Sequence, residues 1–408
     1  MTAVQGAEPA GADLRFALPV LLLIVFISLI GFGVVMPLLP FYAHVFDAPA
    51  WQVTLMFSTF SLGQFLGEPF WGRMSDRIGR RPVLMFTIFM SALGYVALAF
   101  APGIWIAIAT RLIAGFFGGN ISTIQGYIAD ITPPEKRASR LGLIGAAFGL
   151  GFVVGPTMGG LLARPELGAA GFRPPLLAAG ALCIVAGIGL FLFVKESRRP
   201  SGVAAGGRPG QFAALKDALE HPVLRRLLAT TLVAFIGFSA MQATVGLWGQ
   251  ARFGWTPRDV GLISAASGVA LALSQGLAAG HAVRMFGEVA TLVGGLSLTA
   301  LTLLVQAFAP WEELAIGGQV AMAVGFSICQ PSTTSLISRS SKAEHQGSML
   351  GVNAACGALA RISGPIVAGL LFGVAVNAPL VFAALGMVPA IWLATRAGVA
   401  LRQHRQRA

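Results

Sequence analysis

The sequence predicts an all-α polytopic membrane protein in which twelve transmembrane helices form two pseudo-symmetric six-helix bundles. Of the 408 residues, 56% are hydrophobic and 11% are charged, and the mean hydropathy is +0.78. A soluble domain could not bury that much apolar surface, whereas helices in a bilayer need no separate apolar core. The predicted spans, numbered 1 to 12, cover residues 16–42, 53–71, 82–101, 104–131, 138–163, 174–194, 224–247, 259–283, 289–309, 312–337, 347–373 and 378–397.

The chain also contains an internal repeat. The longest polar interruption follows span 6 and predicts a linker over residues 195–221, between a first half of 1–194 and a second half of 222–408. Two parallel six-span repeats around a substrate path are typical of secondary transporters. A shift of 209 residues lays the glycines and the Gly-Pro pair of span 5 over those of span 11, namely Gly142, Gly155, Pro156 and Gly160 over Gly351, Gly364, Pro365 and Gly369.

Lys and Arg are distributed unevenly between the two sides of the predicted topology. The N-terminus, the loops after the even-numbered spans and the C-terminus hold 22 of the 28 Lys and Arg residues, whereas the other loops hold 4. We call these two sides the basic face and the opposite face. Because positively charged loops stay in the cytoplasm, both termini are expected there. The net charge of +12 then reflects membrane orientation, and we expect no nucleic-acid partner.

Other common chemistries find no support in the sequence. The three cysteines, Cys183, Cys329 and Cys356, lie within apolar stretches and lack metal-binding or disulfide spacing, so they are expected to pack as small apolar side chains. No nucleophile–base pair, metal cluster or phosphate-cradling loop stands out. We therefore expect no cofactor, no bound metal and no enzymatic activity.

A charged segment between spans 2 and 3 is the most distinctive stretch of the chain. Because it separates two apolar runs, it must lie outside the hydrocarbon, which predicts a tight loop. A basic loop that only orients the protein would explain the arginines, but not Asp76 or the glycine spacing. The segment has five charges and two glycines in ten residues and reads Gly72-Arg-Met-Ser-Asp76-Arg77-Ile-Gly79-Arg80-Arg81, with a decayed copy at Gly280, Arg284 and Gly287.

This segment resembles the loop between spans 2 and 3 of the major facilitator superfamily. The resemblance implies a charge cluster of Asp76, Arg80 and Asp130, in which Asp76 also faces the N-terminus of span 11. Such contacts, each worth roughly 0.3–2 kcal/mol, would latch the halves in an outward-open state without freezing them there. The expected latch comprises Gly72, Asp76, Arg77, Gly79, Arg80 and Asp130.

Span 5 carries a second motif. Glycines on one helix face let a neighbouring helix approach closely, and a proline bends the span. The stretch resembles the antiporter motif of drug/proton exporters in the same superfamily. The alternative is ordinary packing of small residues, which span 11 also shows. The motif residues are Gly149, Gly155, Pro156, Gly159 and Gly160.

Three charged residues are predicted to lie within spans: Glu68, Arg111 and Arg361. An ionisable group in a bilayer is costly, so each should face a cavity or a partner. Arg111 resembles the span 4 arginine motif of the superfamily and is a candidate for proton coupling or substrate orientation, unless it snorkels to the outer surface. Glu68 is either a proton site or one half of a static ion pair with Arg361, because the fold of the superfamily places spans 2 and 11 side by side. Both roles are compatible.

Polar uncharged residues are expected to line a central cavity. Together with aromatic residues they would suit an amphiphilic, polycyclic ligand, although any single one is more often a packing residue. The candidates for the substrate cavity are Ser28, Gln64, Asn120, Gln125, Gln242 and Gln330.

Within the superfamily, the first half resembles the tetracycline/proton antiporters of Gram-negative bacteria. The resemblance is carried by the segments 31–40, 72–84, 128–132 and 145–151. It implies proton-coupled efflux of tetracycline or a similar amphiphilic drug across the inner membrane by a monomer working through alternating access. Ser28-Leu-Ile-Gly31 stands where those antiporters carry a span 1 aspartate, so Glu68 is a candidate to replace a missing acid. The alternative is a multidrug or other small-molecule transporter, including a nutrient importer.

Overall fold

A computed structural model describes residues 14–197, 219–341 and 345–407, and these residues form helices joined by short turns, with no strand among them. Eleven helices in the described part are long and apolar enough to cross a membrane. Span 2 is also long enough, with 29 residues, but is more polar because its last turns carry charges. The prediction of an all-α, multi-pass membrane protein is confirmed.

The spans are continuous helices except where noted. Span 1 runs over Leu14–Val35 and continues through a 3₁₀ turn, Met36–Leu38, into Leu39–Val45; span 4 comprises Ile104–Gly118 and Ile121–Asp130; and span 8 comprises Pro257–Leu273, a π-helical turn Ser274–Ala278, and Ala279–Phe286. The others are Ala50–Ile78 (span 2), Arg80–Ala99 (3), Pro134–Leu162 (5), Arg173–Phe193 (6), Pro222–Phe253 (7), Glu288–Ala307 (9), Glu312–Ser340 (10), Gln346–Val374 (11) and Ala378–Arg407 (12), with a 3₁₀ segment Pro165–Phe172 between spans 5 and 6.

The segment predicted as a loop between spans 2 and 3 is mostly helical. Span 2 continues to Ile78 and span 3 begins at Arg80, so Gly79 alone makes the turn. Gly79 has a φ of +105°, which favours glycine because it has no Cβ. The prediction of a ten-residue loop was therefore wrong. Charged side chains at the end of a span can reach the membrane surface while their backbone stays helical.

Span 4, which was predicted as one helix, is interrupted at Gly119 and Asn120. Span 2 packs against span 4 so closely that a methyl group added at Gly119 would lie 2.7 Å from the backbone nitrogen of Glu68. Added methyl groups at Gly63 and Gly115 would likewise overlap backbone atoms across this pair. Small residues are what allow two membrane helices to approach to backbone contact.

Two hydrophobic clusters form the cores of the two halves. The first is built mainly from spans 1 to 6 and the second from spans 7 to 12. The halves meet along two helix pairs, span 2 against span 11 and span 5 against span 8. Of the predicted linker, 195–221, residues 198–218 lie outside the described residues.

The contacts between the halves are concentrated at the opposite face. A methyl group added at Gly160 in span 5 would overlap the carbonyl oxygen of Pro257, and one added at Gly369 in span 11 would overlap Thr54. At the other ends of the same two spans, an added methyl at Gly142 or Gly351 would meet no described atom within 4 Å. The close contacts between the halves therefore lie at the opposite face, and the basic ends of spans 5 and 11 are uncovered at these two glycines.

Candidate charge cluster and substrate path

Arg80 is the centre of a charge cluster at the basic face. Its guanidinium lies 2.9 Å from a carboxylate oxygen of Asp76 and 3.3 Å from one of Asp130, and it donates a 2.6 Å hydrogen bond to the Ser75 hydroxyl. The Arg80 side chain is only 9% exposed, whereas Asp76 is 43% exposed. Charge-assisted bonds to a buried guanidinium hold the ends of spans 2, 3 and 4 together.

Glu196, which the sequence analysis did not single out, completes this cluster. Its carboxylate accepts hydrogen bonds from the backbone N–H groups of Arg80, at 2.9 Å, and of Arg81, at 3.0 Å. It therefore caps the N-terminus of span 3, where free N–H groups and the helix dipole favour an anion. The next residue, Ser197, donates to Asp130 at 3.3 Å. Gly79, directly before span 3, has no side chain that could cap this helix. That absence is the sequence feature that indicates a capping acid from elsewhere in the chain.

The remaining latch residues surround this cluster. Gly72 packs against Ser122 of span 4, where an added methyl would lie 3.1 Å from the hydroxyl oxygen. Arg77 is exposed and, with Arg73, borders a shallow groove on span 2. A latch between Asp76 and span 11 in an outward-open state remains a prediction.

The glycines of span 5 pack against two different neighbouring helices. Gly155 and Gly159 pack against span 1, and a methyl at Gly155 would lie 2.8 Å from the carbonyl oxygen of Ile30. Gly160 packs against the start of span 8, and Gly149 faces Ala272 of the same span at 3.7 Å. Pro156 lies within the helix beside this junction. The motif thus lies both within the first half and at the contact between the halves.

Arg111 is fully enclosed, with 1% of its surface exposed, so it does not snorkel to the outer surface. Its guanidinium carbon lies 4.0 Å from the centre of the Phe60 ring. None of its three guanidinium nitrogens has a hydrogen-bond partner among the described residues. The phenols of Tyr42 and Tyr95 interact with it electrostatically. A cation–π contact is the main compensation for this buried charge.

Glu68 and Arg361 face each other across the contact between the halves. Glu68 is exposed, Arg361 is partly buried, and the two interact electrostatically. Among the described residues, however, the pair is not a direct ion pair with an N–O distance within 4 Å. The two charges are neighbours without direct contact in this structure.

A cavity of about 270 Å³ lies in the second half, between spans 7, 9, 10 and 11, and Arg361 is in its wall. Of the residues predicted to line a substrate cavity, Gln330 borders it. Gln64 and Gln242 are half-buried, Gln125 is exposed, and Ser28 donates to the Ile24 carbonyl of its own helix at 2.8 Å.

Asn120 is the remaining candidate for the cavity lining. It lies at the break in span 4, is 1% exposed, and donates a 3.0 Å hydrogen bond to Thr87 in span 3. Its side chain therefore contacts span 3 of the first half, and a role in lining the cavity remains a prediction.

The comparisons with known proteins agree with this architecture. The sequence model of the Major Facilitator Superfamily matches residues 21–256 and 250–406. The tetracycline resistance protein, class C, from Escherichia coli is 34% identical over 366 residues, which are 87% of this chain and 89% of that protein. Multidrug resistance protein 2 from Bacillus subtilis is 24% identical over 387 residues, which are 92% and 93% of the two chains.

Among solved structures, a bacterial homologue of the human lysosomal transporter Spinster, in an inward-facing and unoccupied conformation, is similar with a TM-score of 0.75. It is 16% identical and covers 95% of this chain and 96% of its own. Two halves of membrane-spanning helices, as the described residues show, are typical of secondary transporters. The chain belongs to the Major Facilitator Superfamily. This membership also supports the expectation that it is not an enzyme.

Proposed function

We propose that this protein exports an amphiphilic drug of the tetracycline type from the cytoplasm across the inner membrane, in exchange for protons, by alternating access. The observation that carries the proposal is that the halves make close contacts at the opposite face and leave the basic ends of spans 5 and 11 uncovered, in a chain whose relatives include tetracycline and multidrug resistance proteins. We place the basic face and both termini in the cytoplasm on the distribution of Lys and Arg. The drug would then enter from the cytoplasm.

Proton exchange in this proposal uses Glu68. An exporter driven by inward proton flow needs a group that binds a proton facing out and releases it facing in. Glu68 is an exposed acid within span 2, next to Arg361 of span 11, and protonation would remove its charge. If a cationic group of the drug and the proton compete for this carboxylate, binding of one expels the other, and competition is all that exchange requires. The partners are the drug, protons and the lipid bilayer, and the working unit is a monomer.

The test of coupling is drug uptake into inverted membrane vesicles under an imposed pH gradient. The parent should accumulate tetracycline, and Glu68→Gln should lose gradient-driven uptake while it still binds the drug and exchanges it downhill. Gln64→Glu, one turn earlier in span 2, can be added to Glu68→Gln to ask whether an acid nearby restores coupling. Gradient-driven accumulation by Glu68→Gln at the parent's level would show that Glu68 is structural. Accumulation of other amphiphiles but not tetracycline would favour the multidrug alternative.

Alternating access predicts that the contact at the opposite face must open. Gly160→Val should wedge span 5 away from span 8, because any side chain there would overlap the backbone at Pro257. Gly142→Val on the same span meets open space and is the matched control. Spin labels in place of Arg164 and Arg252, one in each half at the opposite face, should move apart in Gly160→Val but not in Gly142→Val. Equal distances in both variants would contradict the proposed opening.

A further inference from the structure

The cavity in the second half has the composition of a ligand subsite rather than of a packing defect. Arg361 is the single charged residue in its described wall, and six of the other lining residues carry amides or hydroxyls, namely Thr230, Thr231, Gln330, Thr333, Thr334 and Asn353. Phe235 and Phe326 form an apolar part of the wall, with ring centres 5.0 Å apart. A mostly apolar pocket with a few convergent polar groups is typical of a small-molecule site.

Arg361 and Asn353 supply hydrogen-bond donors to this cavity. Arg361 has five N–H donors and forms no ion pair within 4 Å among the described residues. Thr231 donates to the side-chain oxygen of Asn353 at 2.8 Å, so the amide N–H groups of Asn353 remain available to another acceptor. A guanidinium in a membrane span is costly unless something pairs with it. An acceptor with negative charge fits that need best.

The position of the Arg361 head group is fixed by the helix itself. The side chain folds back over Gly357, and a methyl added at Gly357 would lie 3.6 Å from one guanidinium nitrogen. Spans 2 and 11 run antiparallel, with Gly369 against Thr54, so at about 1.5 Å per residue the backbone of Arg361 lies about 9 Å from the level of Glu68. The folded side chain brings the cation toward that level.

We propose that this cavity binds an oxyanion of the transported molecule, such as a carboxylate, enolate or phenolate, with Arg361 and Asn353 as donors and the two phenylalanines against an attached ring. This deepens the proposed function, and it rests on that function only in assuming that the gap binds a small molecule. A basic group on the same molecule would meet Glu68 across the gap. The best ligands would then carry both an acidic and a basic group, one for each half.

This arrangement also determines the sign of coupling. A ligand with an acidic group alone would compete with ionised Glu68 for Arg361, so protonation of Glu68 would favour its binding and proton and ligand would travel together. A basic group at Glu68 competes with the proton, which gives exchange. Within this scheme, Arg361 determines which ligands are accepted and Glu68 determines whether protons are exchanged for them.

The test measures equilibrium binding of 2-naphthoate and of its neutral analogue 2-naphthamide to the purified full-length protein, without a gradient. Naphthoate should bind the parent about tenfold more tightly than naphthamide, because a charge-assisted bond is lost in the amide. Arg361→Gln should abolish that preference and Arg361→Lys should retain part of it. Glu68→Gln should strengthen naphthoate binding, since it removes the competing charge. Arg252→Gln, an exposed arginine at the opposite face, is the matched control and should bind as the parent does.

The proposal would be overturned if the parent bound 2-naphthoate and 2-naphthamide with equal affinity, or did not bind 2-naphthoate. These measurements on the parent hold even if Arg361→Gln fails to fold. A preference for naphthoate that survives Arg361→Gln would overturn it as well. Because these measurements need no proton gradient, they separate the two proposals. A failure of gradient-driven transport with intact naphthoate binding removes the exchange proposal alone, and the reverse result removes only the oxyanion subsite.

Discussion

The two halves make the same turn at the basic face but carry opposite charges on it. Gly79 and Gly287, 208 residues apart, both have positive φ values, +105° and +82°. In the first half, Arg80 at the start of span 3 pairs with Asp130 at the end of span 4, at 3.3 Å. In the second half, Glu288 at the start of span 9 pairs with Arg339 at the end of span 10, at 3.2 Å. The repeat has kept the turn and the pairing while the polarity has reversed.

The charged side chains at the two turns differ in their burial and in the number of their partners. Arg80 is 9% exposed and has Asp76 as a second partner, and Glu196 caps the helix that follows. In the second half, Arg284 stands at the position of Asp76, and Arg339 is 58% exposed. The glycine turn and a complementary pair therefore suffice to join neighbouring spans. The additional partners in the first half are what a latch would require.

The largest expected effect comes from breaking and then reversing the first cluster. Arg80→Glu should lower the unfolding free energy by about 2 kcal/mol, because it leaves Asp76 and Asp130 beside a like charge. The triple change Asp76→Arg, Arg80→Glu and Asp130→Arg copies the polarity of the second half and should restore at least half of that loss. Unfolding in SDS titrations measures both. A triple variant no more stable than Arg80→Glu would mean that the turn, and not the pairing, holds these spans.

A second comparison is between two buried arginines, since Arg80 is paired and Arg111 is not. An unpaired buried charge opposes folding, so Arg111→Met, which fills the same space without the charge, should raise the unfolding free energy by about 1–2 kcal/mol, whereas Arg80→Met should lower it. If Arg111 takes part in coupling, the same variant should lose gradient-driven drug uptake. A fall in stability for Arg111→Met would mean that its contact with the Phe60 ring outweighs the cost of burial.

Apolar patterning predicted the helices well because each span must match the thickness of a membrane. It failed at the ends of spans, where side chains such as those of Asp76 and Arg77 reach polar surroundings while the backbone remains helical. It could not predict the direction of the Asn120 side chain, because that direction depends on a break that forms where span 2 packs against span 4. The proximity of spans 2 and 11 came from the resemblance to the superfamily and could not have come from patterning alone.

Local sequence patterns could not identify Glu196 as a capping residue, because its partners lie more than a hundred residues earlier in the chain.

Replacement of Glu196 tests how much the cap adds to the stability of the first turn relative to the second. Glu196→Gln keeps the size of the side chain but removes the charge at the N-terminus of span 3, and should cost about 1 kcal/mol. Glu135→Gln, in the first turn of span 5 and exposed, is the matched control. Equal costs in SDS titrations would show that Glu196 contributes no more than any acid near a helix start.

The smallest effect is expected at the pair in the second half. Arg339 is 58% exposed, and exposed ion pairs contribute about 0–1 kcal/mol because water screens them and the side chains lose freedom. Arg339→Ala should therefore cost about 0.5 kcal/mol, and 0.5 M salt should reduce that cost further. Glu288 is less exposed, at 14%, and also accepts from Ser335, so Glu288→Ala should cost more than Arg339→Ala. If Arg339→Ala proved as costly as Arg80→Glu, the second turn would be as tightly held as the first, and the contrast between a buried network and an exposed pair would not explain how the halves differ.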